Sequence, residues 1–173
     1  MKCEKGFSLV ELIITVAIIM TLGAMAILYT PNMLASYRVR GATRLIYSDM
    51  QMARLKAIKE GKEMAVEFFS AATYCVKIKT GANWDPGCDI GGEDTLDVIS
   101  KTVDISGEYS GVSAGYICGG AAPDKRVDFN PNGTAGCTGN RVTISNTANT
   151  RTQSLCINTS TGNIRIVDAS TCS

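Results

Sequence analysis

A single carboxylate, Glu11, sits inside a run from Phe7 to Tyr29 that carries no other charge. Near the centre of a lipid-spanning helix such a group costs roughly 2.5–3.5 kcal/mol on insertion scales, so it calls for a cationic partner. The other reactive groups are thiols and one loop of carboxylates. There are seven cysteines, Cys3, Cys75, Cys88, Cys118, Cys137, Cys156 and Cys172, and no histidine. No Cys-x-x-Cys pair occurs, which argues against zinc. Six thiols beyond the apolar run suit three disulfides in an oxidising compartment. Cys3 lies on the other side of that run, where a reduced thiol is expected. Without histidine the common bases for nucleophilic catalysis are missing, so no catalytic residue, cofactor or enzymatic activity is expected. Asp85, Asp89, Glu93 and Asp94 make an acidic loop. Their spacing does not follow the alternating ligands of an EF-hand. It reads as a solvated loop, with Trp84 as packing or contact surface and no metal.

The elements that must carry these groups follow from hydrophobic period. The apolar run of about 23 residues would span about 35 Å as a helix, enough for a bilayer core of about 30 Å. Pro31 then either ends the helix or kinks it, and the kink is preferred because helical spacing resumes at once. Ala42, Ile46, Met50, Ala53 and Ala57 recur on one face, with Arg40, Arg44 and Lys62 opposite. Gly61 suits the helix end. A spine from Phe7 to Glu60 would be about 80 Å long if fully helical. Residues 32–62 hold seven basic against two acidic side chains, and residues 63–173 eight against twelve. The basic stretch is either a solvated face or one that meets acidic neighbours or lipid head groups.

Beyond Gly61 the period falls to two. "EMAVEFF" and "TYCVKIKT" read as strands, and "GAN" as a turn. A hairpin centred between Gly81 and Ala82 would set Cys75 opposite Cys88, the first expected disulfide. Cys118–Cys137 and Cys156–Cys172 are the most local choices for the remaining thiols. Residues 83–126 are hard to read apart from a strand near "VISKTVDI". "RVDFN", "RVTISN", "SLCINT" and "NIRIV" read as four antiparallel strands separated by the turns "PNG" and "STG". The fold class is α+β: a long N-terminal helical spine bearing a C-terminal antiparallel β-sheet or β-sandwich head.

The first residues admit three readings. One is a plain anchor, which leaves Glu11 unexplained. Another is a secretory signal with Ala24-Met25-Ala26 at its cleavage site, and the third is a short basic leader ending in glycine. Gly6-Phe7 followed by Ser8, Leu9, Val10 and Glu11 resembles the class III signal of type IV pilins and type II secretion pseudopilins. That resemblance implies cleavage by a prepilin peptidase between Gly6 and Phe7 and methylation of Phe7. It also implies that Glu11 pairs with a subunit's amine to set assembly register. The implied parts are a leader (1–6), a transmembrane half-helix (7–30) with the Pro31 kink beyond it, a periplasmic half-helix (31–61) and a head (62–173). The protein would be single-pass in the bacterial inner membrane with its head in the periplasm. Its partners would be other pilin or pseudopilin subunits, the peptidase, the inner-membrane assembly platform and membrane lipid.

"QMARLKAIKEGKEMAVEF" and "VDFNPNGTA", the latter followed by "TGNIRIV", resemble the GspH/FimT group of minor pilins and pseudopilins. This implies a structural subunit acting in assembly priming or tip formation. The alternative is a FimT-like subunit that binds DNA through a G-R-x-R signature. Here those positions read Gly162, Asn163, Ile164 and Arg165. The first arginine is absent and the head is net negative, so DNA is the less favoured partner even with Arg141 and Arg151 nearby.

Overall fold

A computed structural model describes residues 7–81, 84, 88, 98–117, 125–136, 141–147 and 151–172, with side chains at 26–32, 98–99 and 116–117 set aside. Two compact units divide the chain, Met1–Ala35 and Ser36–Ser173. Helix α1 (Leu9–Glu60) enters both, and Thr30 and Pro31 lie within its helical run. In the first unit its apolar side chains from Leu9 to Met25 are exposed. Among the described residues no helix is long and apolar enough to cross a membrane.

In the second unit α1 becomes a core element. Val39, Ala42, Ile46, Met50, Ala53 and Ala57 are buried in one cluster with residues from both sheets of the head. The alanines on this stripe let the backbone come close, while Ile46 and Met50 supply volume. Truncating either of the larger two to alanine should cost about 2–5 kcal/mol. Gly61 stops the helix with φ 65°, a left-handed conformation that favours glycine.

The head is built from β1 (Met64–Phe68), β2 (Thr73–Ile78), β3 (Val98–Asp104), a one-turn helix α2 (Ile105–Glu108) and β4 (Val112–Ile117). β5 (Arg126–Phe129), β6 (Ala135–Gly136), β7 (Arg141–Asn146), β8 (Thr152–Ile157) and β9 (Ile164–Val167) complete it. The first sheet runs β3-β2-β1-β5-β6 and the second β4-β7-β8-β9, and all pairings are antiparallel. Period-two burial orients two of the strands: Val127 and Phe129 on β5, and Val142 and Ile144 on β7, face the core. α2 is capped by Asp104, whose carboxylate accepts from the Ser106 hydroxyl at 2.7 Å and amide at 2.9 Å, and these bonds hold the Asp104 carboxyl below its usual range.

One sequence expectation needs correction. No hairpin is centred on Gly81–Ala82. β2 has β1 on one side (Glu67 opposite Cys75) and β3 on the other (Thr102 opposite Cys75), so no strand carrying Cys88 can lie beside it. The four tail strands are present and antiparallel, and they divide between the two sheets. β5 crosses to pair with β1, leaving β7, β8 and β9 in the other sheet with β4, which the sequence did not reveal.

Candidate functional site

The second half of α1 is latched to the head by polar groups whose roles are invisible in the chain. Asp49 follows Ile46 by three positions and precedes Ala53 by four, so helical geometry puts its carboxylate on the buried stripe. It is 3% exposed. Tyr74 of β2 donates to its Oδ2 at 2.6 Å, and Lys101 Nζ of β3 lies 2.8 Å from both oxygens. Burial and the hydrogen bond to Asp49 hold the Tyr74 phenol far above its ordinary value, so it remains a donor. One helix residue is thereby tied to two strands.

Arg54, five residues further on, holds two turns of the head. Its Nε donates to the Gly133 carbonyl at 3.2 Å and its Nη2 to the Thr161 carbonyl at 2.8 Å. Gly133 and Gly162 have φ of 84° and 64°, and a Cβ at Gly162 would strike the Gly133 carbonyl oxygen. These turns meet under Arg54 because Gly162 has no side chain, and both glycines adopt the left-handed backbone that the turns require. Lys56 donates to Ser100 Oγ at 3.1 Å and Arg38 to the Ser110 carbonyl at 3.2 Å. The basic stretch of α1 is therefore not uniformly a solvated face. Arg38, Arg54 and Lys56 bind the head, whereas Arg40, Arg44, Lys59 and Lys62 are exposed.

Each sheet also carries a disulfide outside the shared core cluster. A disulfide joins Cys75 and Cys88, with Cα atoms 5.9 Å apart, and beneath it Lys77 and Glu67 form a buried ion pair. Trp84 is stacked 5.5–5.7 Å from the cations of Lys77, Lys79 and Arg126, a packing role of the kind its sequence context suggests. On the other sheet a disulfide joins Cys156 and Cys172, with Cα atoms 5.8 Å apart. There Ser154 Oγ donates to the Ala169 carbonyl at 2.6 Å, and the tail covers Ser154 completely.

The remaining sequence-derived positions are dispersed. Phe7 precedes α1 and is exposed, and Glu11 lies in its first turn. Gly6, Cys118 and Cys137 lie outside the described residues, as do Asp85, Asp89, Glu93 and Asp94. Among the described residues no cluster of carboxylates and thiols is arranged to hold a metal ion. Gly162 is taken up by the turn beneath Arg54, while Arg165 is exposed on β9. Asp49 was the residue that sequence reasoning passed over. A lone acid on an apolar helical stripe was the available signal.

A long N-terminal helix whose second half forms the core of a two-sheet antiparallel head defines a pilin-like structural subunit. Residues 42–161 match the family described as Type II transport protein GspH, and residues 1–27 match the prokaryotic N-terminal methylation motif. The chain belongs to the GspH family. The family is one of type II transport proteins, and the chain is a structural subunit of that kind and not an enzyme. Among solved structures, the minor pseudopilin EpsH from the Type 2 Secretion System of Vibrio cholerae aligns with a TM-score of 0.50 at 12% identity, covering 76% of this chain and 97% of that one. A second structure of Vibrio cholerae EpsH gives a TM-score of 0.47 at 12% identity, covering 81% of this chain and 97% of that one. The first likeness shows the shared fold. No individual curated protein matches the chain significantly.

Proposed function

We propose that the chain is made as a precursor, cut by a prepilin peptidase between Gly6 and Phe7 and methylated at Phe7. It is then held in the inner membrane by residues 7–30 until it joins a pseudopilus. The periplasmic part is the second half-helix (31–61) with the head (62–173). The subunit acts with other pseudopilins in priming assembly or forming the tip, on the inner-membrane platform. The observation that carries this reading is Glu11, the only charge between Phe7 and Tyr29, four residues from the proposed new amine. That amine would have a pKa near 8 and be cationic at neutral pH. At about 4 Å and an effective dielectric near 20, the two charges attract by about 4 kcal/mol before desolvation. Such a pair serves register better than stability, because an unpaired member in an apolar setting is penalised by about 3–5 kcal/mol. Each incoming subunit would stop where its own amine or its neighbour's meets the carboxylate. Mass analysis of the mature N-terminus tests the proposal. The expected product starts at methylated Phe7, and a chain starting at Ile27 would overturn it.

A further inference from the structure

Away from the stripe that α1 buries in the head, the helix carries a groove of about 460 Å³. Tyr47, Met52 and Leu55 line it together with Lys56 and Lys59, and Leu55 is 65% exposed. Arg44, Ser48, Gln51, Leu55 and Ile58 follow one another at intervals of three and four residues along this face. All are exposed except Gln51, which is half-buried. Lys56 is held by Ser100, whereas among the described residues no ion pair reaches Arg44, Lys59 or Lys62. The one acid between Arg40 and Lys59 is Asp49, which is buried and engaged by Tyr74 and Lys101. The result is an apolar seam edged by cations that nothing on the helix neutralises.

We propose that this face of α1 docks an acidic amphipathic helix of a different chain. The face is complete within the unit Ser36–Ser173 and needs nothing from residues 7–30. Grooves between the side-chain ridges of one helix receive the ridges of another, and intervals of three and four residues are those of a two-helix seam. Met52 and Leu55 would meet apolar residues of the incoming helix, while its carboxylates fall against Arg44 and Lys59. Phosphate finds no donor at Met52 or Leu55, so the centre of the face suits a protein better than a nucleic acid. Charge also decides against a second copy, because two such faces set together would oppose cation to cation. No other described helical segment of a copy can serve. α2 is a single turn, whereas the lining from Tyr47 to Lys59 runs about 18 Å, and the part of α1 before Ser36 carries one acid, Glu11. The face thereby selects a heteromeric neighbour.

The test uses the full-length chain in the cells that make it, with photo-reactive benzoylphenylalanine in place of Leu55. After irradiation the adducts are mapped by tandem mass spectrometry. The expected adduct is a peptide of another chain, within a helical stretch that is net acidic. Arg44→Glu with Lys59→Glu should lower its yield at least about tenfold, since like charges then face each other across the seam. Changing two carboxylates of the captured helix to lysine should restore the yield to near that of wild type. All three altered positions are exposed, and the Cys156–Cys172 bridge, mapped in the same digests, reports that the head has folded. A yield that the Glu pair leaves unchanged overturns the proposal, as does a captured segment that is basic, uncharged or non-helical. An adduct to a second copy reassigns the face to self-association, and one to lipid or to nuclease-sensitive nucleic acid reassigns it to that ligand; each overturns the proposal. Absence of any adduct leaves the face solvated and overturns it too.

Discussion

At Asp49 a buried carboxylate is tolerated because a phenol and an ammonium both meet it. Replacement by alanine would strand the buried Tyr74 hydroxyl. The full cost of breaking a buried pair is about 3–5 kcal/mol. Lys101 is 40% exposed and can turn to water, so a loss nearer 2–3 kcal/mol is expected in urea unfolding. Tyr74→Phe should lose about 1–2 kcal/mol, since Asp49 keeps Lys101. The phenol also makes stability depend on alkaline pH. Its folded pKa is raised above the unfolded value near 10, so its contribution is complete below about pH 10 and fades as pH rises toward the folded value. Wild type should therefore lose stability above about pH 10 more steeply than Tyr74→Phe, as read from unfolding midpoints between about pH 9 and 12. At Glu11 the expectation concerns assembly. Glu11→Ala should insert as well as wild type, or better, but enter fibres less. Equal fibre-to-membrane ratios on immunoblots would count against the pairing mechanism.

Among elements, the two disulfides lie on different sheets, and each ties a residue outside the strands to a strand: Cys88 to β2 and Cys172 to β8. Cys156 and Cys172 are 16 residues apart, and closing a loop of that size is worth about 3 kcal/mol through the unfolded chain. Cys172→Ser should lower the unfolding midpoint accordingly and let protease cut after Val167, where the tail leaves β9. If the tail stays as resistant as in wild type, the hydrogen bond from Ser154 to Ala169 holds it without the bridge. The Cys75–Cys88 pair shows what periodicity can and cannot deliver. Expecting the two thiols together followed from hairpin symmetry, yet β2 is flanked by β1 and β3. Cys88 therefore reaches Cys75 from outside the strand pairing of β2. Neighbours in sequence usually pair in space, and here β3 pairs with β2 only after the intervening residues 79–97.

For the whole molecule, the anchor reading makes a claim about partition. Ile18 stands mid-run among apolar neighbours. Ile18→Lys should add roughly 2.5–3.5 kcal/mol to the cost of spanning, enough to move a measurable share of the chain out of the membrane fraction. Carbonate extraction followed by immunoblotting reads this directly. Full membrane retention of the variant would indicate that the run is not held in hydrocarbon at Ile18.

Taken alone, the sequence determined the properties that depend on local period and composition. The stripe Ala42, Ile46, Met50, Ala53 and Ala57 announced a helix with one buried face. The change to alternation after Gly61 announced strands, and Glu11 in its apolar run announced a charge in need of a partner. These are legible because a helix repeats every 3.6 residues and a strand every two, so side-chain chemistry alone marks the buried face. Tertiary structure alone decided which strands became neighbours, and sent β5 to β1 rather than to β7. It also brought Tyr74 and Lys101 to Asp49 and seated Gly133 against Gly162 beneath Arg54. Each of these depends on contacts between distant residues. Periodicity tells which face of an element is apolar, while its partner is chosen by the packing of the whole core.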